Sequence, residues 1–88
     1  MLNEQMPHSL QMKERRVLSV TGVTEVVSFE DTAVVLQTVM GRLLIQGQQM
    51  QLKGFSEEGG QVAVEGTIGG LLYEETKERS SFWQRLLG

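Results

Sequence analysis

The chain has 88 residues, a formal net charge of −3 and no cysteine, so it has room for one small domain and no disulfide, thiolate metal site or thiol nucleophile. One histidine, His8, argues against histidine-rich metal sites and a Ser-His-Asp triad. The acidic balance argues against non-specific nucleic-acid binding.

Residues 1–7 are polar and aperiodic and read as a mobile tail. They lack the apolar stretch of a secretory signal, and no run in the chain approaches the ~20 apolar residues that span a bilayer. A cytoplasmic protein is therefore expected. From His8 the pattern becomes short alternating runs. Leu10 and Met12 form the first, Leu18 and Val20 the second, and Val23, Val27 and Phe29 the third. Val34 with Leu36, Leu43 with Ile45, Met50 with Leu52, Val62 with Val64, and Ile68 with Leu71 follow. Side chains alternate faces along an extended strand, so each run offers one apolar edge to a core. Glu30-Asp31-Thr32, Gly41, Gly54, Gly59-Gly60 and Gly69-Gly70 supply the turns. The sole proline, Pro7, lies outside the runs, where it removes no ladder hydrogen bond.

These spacings predict an all-β domain over residues 8–74. Seven or eight short, mainly antiparallel strands would close into a small sandwich or open barrel. A short β-roll is the alternative, because RVLSVTG, GRLLIQG and GQVAVEG form a weak internal repeat ending at Gly22, Gly47 and Gly66. The unequal intervals favour the meander over a solenoid. Residues 75–88 read as a charged linker and a short amphipathic helix. Phe82 with Leu86 and Trp83 with Leu87 are four apart and share one helical face. A helix of about two turns is marginal alone, so it needs a surface.

The sequence shows no catalytic, cofactor or metal constellation. His8, at the junction of tail and first strand, reads as solvent-facing. The acid pairs Glu30-Asp31, Glu57-Glu58 and Glu74-Glu75 match no calcium loop. Gly66-Thr67-Ile68-Gly69-Gly70 lies between strand patterns and matches no phosphate loop. Lys13-Glu14-Arg15-Arg16 reads as a solvated strand edge. A second apolar set falls out of phase with the core: Val17, Val26, Val35, Val39, Leu44, Phe55 and Ala63. A water-facing sheet side is ordinarily polar, so these residues need a cover. Either the C-terminal helix packs on them or a partner does. The candidate interaction surface is Val26, Val35, Val39, Leu44, Phe55, Phe82, Trp83 and Leu86. Lipid contact through Phe82, Trp83 and Leu86 is a secondary possibility.

Four stretches, HSLQM, RVLSVTGVTEVVSFED, LQTVMGRLLIQGQQMQL and GQVAVEGTIGGLLY, carry a family resemblance. Gly22-Val23, Ser28-Phe29-Glu30, Thr38 with Gly41, Gly47, and Gly66 through Tyr73 occur in the order found in the YabP/YqfC family of sporulation proteins, which the run from His8 to Tyr73 resembles. Phe55 and Glu57 stand where that pattern has leucines. The resemblance implies a non-enzymatic protein, made in the mother cell of a sporulating bacterium and acting in spore coat or cortex formation. It also implies protein partners, an integral membrane sporulation protein among them, and a place at the forespore membrane, whereas self-association is expected from the second apolar set. It carries no catalytic residues.

Overall fold

Alternation at every second residue produces strands throughout. The structure, a computed structural model, describes residues 7–56, 58 and 60–74. Its strands are β1 (Ser9–Lys13), β2 (Val17–Thr21), β3 (Val23–Glu30), β4 (Ala33–Thr38), β5 (Gly41–Ser56) and β6 (Gln61–Glu74). They form one six-stranded sheet in the order β1-β2-β6-β5-β4-β3, and every pairing is antiparallel. The all-β expectation is met, as a meander and not a roll. The expected short C-terminal helix and residues 1–6 of the expected tail fall outside the described residues.

The strand number corrects the expected seven or eight. The runs Leu43–Ile45 and Met50–Leu52 belong to one 16-residue strand, β5. The runs Val62–Val64 and Ile68–Leu71 belong to one 14-residue strand, β6. Register shifts between Gln46/Gly47, Gln48/Gln51 and Leu52/Gly54 bend this long pair without ending it. Before the bend β5 pairs with β4; beyond the bend no strand among the described residues pairs with its other side. Two half-sheets result, β1-β2-β6-β5 and β6-β5-β4-β3, sharing the bent pair.

The curl follows from chain geometry. β2 and β3 lie four steps apart in the sheet order, which in a flat sheet is about 19 Å at ~4.8 Å per step. Gly22 alone connects Thr21 to Val23, and two Cα steps span at most about 7.6 Å. The sheet therefore folds over, bringing β3 back to β2. At this corner Val39 N–H donates to Gly22 C=O (2.9 Å) and Val23 N–H to Gly60 C=O (2.8 Å). Gly22 has φ +76, and a Cβ there would sit 2.8 Å from the Pro7 carbonyl oxygen.

The opposite end is built from the bend and two hairpin tips. Gly66 and Ile68 N–H donate to the carbonyls of Arg16 (3.0 Å) and Arg15 (2.8 Å) in the β1–β2 tip. Gly47 and Met50 N–H donate to those of Thr32 (3.1 Å) and Asp31 (2.9 Å) in the β3–β4 tip. Lys13-Glu14-Arg15-Arg16 is thus the end of edge strand β1 and a turn whose backbone carbonyls dock on β6, while its side chains stay exposed to solvent as expected. The three repeat glycines mark corners: Gly22 where the chain changes half-sheet, Gly47 and Gly66 where the long strands bend.

Between the half-sheets lies the core: Leu18, Val20, Val23, Val34, Leu36, Leu43, Ile45, Met50, Val62, Val64 and Ile68, each no more than 1% exposed. Burial of each such side chain contributes about 1.5–3 kcal/mol. β3 departs from simple alternation. Register shifts between Val23 and Glu25 and between Val26 and Ser28 change its phase. Val26 packs on the core, while Val27 is 38% exposed.

Candidate functional site

The structure separates the residues marked as an interaction surface. Val26 pairs with Leu36 on the core side. Val35 and Leu44 pair with each other on the outward side of the half-sheet β6-β5-β4-β3, where Leu44 also pairs with Leu72. Val39 lies in the β4–β5 turn beside the Gly22 corner. Phe55 pairs with Val62 near the free end of the β5–β6 hairpin and stays exposed. Val17 and Ala63 pair with Glu65 and Ser19 on the outward side of the other half-sheet. Phe82, Trp83 and Leu86 lie outside the described residues.

The corner end gathers chain segments from both halves. Thr38 Oγ1, buried, donates to Gly41 C=O (2.6 Å) and accepts from Met40 N–H (3.0 Å). That fixes the β4–β5 turn and leaves Met40 at its tip, 67% exposed. Val39 in this turn and Gly60 in the β5–β6 turn both bond to the corner, so Val39, Met40 and the Phe55 end of the hairpin share one end of the molecule.

A latch that sequence reasoning missed joins the first and last strands here. His8 Nδ1–H donates to Thr21 C=O (2.8 Å), and its Nε2 shares a hydrogen bond with the Tyr73 hydroxyl (2.5 Å). The rings meet edge to face at 5.7 Å. Thr21 Oγ1 donates to Pro7 C=O (3.1 Å). Burial pushes the Tyr73 hydroxyl above its ordinary 10.0. His8 and Tyr73 stand 65 positions apart, and nothing local in the sequence links them.

The hairpin-tip end carries an open groove of about 860 Å³, whose lining includes Glu14, Arg16, Asp31, Gln49 and Glu65. These charged side chains are solvent-exposed. Among the described residues no group of three or more His, Asp or Glu could hold a metal ion. A second, smaller hollow of about 260 Å³ lies at the hairpin end, lined by Gly54, Phe55, Ser56, Gln61 and Ala63. Neither hollow includes His8 or Tyr73, so the imidazole–phenol pair has no part in them. No helix among the described residues is long and apolar enough to cross a membrane.

These features define a class: a small curled antiparallel β protein with hydrophobic side chains at its surface and solvated charges in its groove. The comparison with known proteins is more specific. The profile of the YabP family matches residues 4–80, and the chain belongs to that family. It is similar to the curated Spore protein YabP of Bacillus subtilis (strain 168), 37% identical over 71 residues, covering 81% of this chain and 71% of that protein.

Proposed function

We propose that this chain is a non-catalytic sporulation protein that acts by protein–protein contact in assembling the spore envelope, coat or cortex. The observation carrying this reading is the likeness to a spore protein across almost the whole β domain. The geometry supports it. Exposed apolar side chains, Met40 at 67% and Phe55 at 41%, stand at the corner end with Val39, and apolar groups of this kind suit a protein partner. Enzyme sites instead bring polar groups together in a shielded pocket. The expected partner is the soluble part of an integral membrane sporulation protein, or a second copy, met in the mother cell at the forespore membrane.

Co-purification from sporulating cells, followed by size exclusion with light scattering, tests this. The expected result is a defined complex that Met40→Glu and Phe55→Glu together abolish while the β circular-dichroism signal persists. A strict monomer that retains no sporulation protein overturns it. Flotation of the chain with liposomes, lost on removing residues 80–88, would instead identify a peripheral membrane adaptor.

A further inference from the structure

The outward side of the half-sheet β6-β5-β4-β3 carries an apolar row. Val35 stands opposite Leu44, and Leu44 opposite Leu72. Polar or small residues flank it: Ala33, Gln46 and Gly70 on one side, Gln37, Arg42 and Glu74 on the other. The corresponding row of the other half-sheet is Gln11, Ser19 and Ala63. One outward side therefore follows polar alternation and the other breaks it. Leu44 is only 6% exposed, although every described strand lies within the sheet and none crosses this side. The row needs a cover.

The chain itself has one close at hand. β6 ends at Glu74, in the row next to Leu44, and the sequence continues to Gly88. That continuation carries Phe82, Trp83, Leu86 and Leu87 with the spacing of a single helical face. Such a short helix needs an apolar bed to persist. From Glu74 to Phe82 the extended chain reaches about 26 Å. The row from Leu72 to Val35 spans two strand spacings, about 10 Å.

We propose that residues 80–88 dock on the Val35–Leu44–Leu72 row of their own chain, with Phe82 and Trp83 against Leu44. The segment and the row complete each other: each has an apolar face too small to be stable in water. The assignment is independent of the sporulation reading. It leaves the corner end free for a partner.

Trp83 is the sole tryptophan, so indole fluorescence of the full chain reports on this segment alone. At concentrations where light scattering shows a monomer, we expect blue-shifted emission and acrylamide quenching several-fold weaker than that of a free indole. Val35→Lys or Leu44→Lys shifts the emission red and raises quenching several-fold while the β signal is retained. Phe82→Ser, outside the sheet, does the same and covers the case in which a lysine at position 44 prevents folding. Full quenching of Trp83 in the wild-type monomer overturns the proposal. So does shielding that develops only as the chain dimerises, which makes a second copy the occupant, or only with anionic phospholipid vesicles, which makes lipid the occupant. Shielding that survives both lysine substitutions in a folded chain also overturns it.

Discussion

Gly66 lies at the bend of the β5–β6 pair, opposite the register shift between Gln48 and Gln51. Its φ is +147, and a Cβ there would stand 2.7 Å from both the Gln49 oxygen and Met50 Cα. The partner bend at Gly47 is as tight, since a Cβ would strike the Thr67 carbonyl. Gly66→Ala should cost about 2–4 kcal/mol, from steric overlap and backbone strain together. Gly54 has open space around its Cβ position and no positive φ, so Gly54→Ala should stay within about 1 kcal/mol of wild type. Urea titration of both variants checks the contrast, and equal losses would refute it. Glu14 and Arg15 run the other way, with φ of 53 and 55 in a turn without glycine. Glu14→Gly should stabilise by about 0.5–1 kcal/mol in the same titration, by relieving a left-handed L-residue. Tyr73 adds a pH dependence. Its folded pKa is raised by burial, so its contribution is complete below the unfolded value near 10 and declines as pH rises through the folded value. Thermal melts above pH 10 should show this loss in wild type and less of it in Tyr73→Phe.

At the scale of elements, the docked hairpin tips explain how β5 and β6 bend without orphaning backbone groups. The amides of Gly47, Met50, Gly66 and Ile68 bond to tip carbonyls where the β5–β6 ladder shifts register. Hydrogen exchange should therefore protect all four as well as ladder amides. Exchange at loop rates would contradict the docking. The same elements show what sequence could convey. Core membership was legible where alternation is unbroken, as in β2 and β4, because a half-buried strand must alternate. It failed in β3, whose register shifts change the phase and put Val26, not Val27, on the core. The turn reading failed at Gly54 and Gly69-Gly70, which lie inside β5 and β6, since glycine serves a turn and a strand interior alike. The β1–β2 turn lacked the usual residue signal, because its positive φ values fall on Glu14 and Arg15. Of the candidate surface, the pairing of Val35 with Leu44 needed strand register, and the His8–Tyr73 latch needed knowledge of which strands end at the same corner.

At the scale of the molecule, four of the five pairings among the described strands join neighbours in sequence, whereas β2 with β6 does not. Hairpins close cheaply in entropy, and distant pairings cost more. We expect the meander from β3 to β6 to assemble first and the β1–β2 hairpin to join it later. Leu18→Ala in β2 should then raise the unfolding rate and barely change the folding rate, whereas Leu43→Ala in β5 should slow folding. Chevron plots for the two variants decide it, and a slowed folding limb for Leu18→Ala would reverse the order. During synthesis this arrangement has a cost. Leu18 and Val20 leave the ribosome early, yet Val62 and Val64, which they face across the β2–β6 pairing, are among the last core residues made. The nascent chain carries that oily edge uncovered for most of its translation, a window in which chaperones or a waiting partner could reach it before the fold shuts.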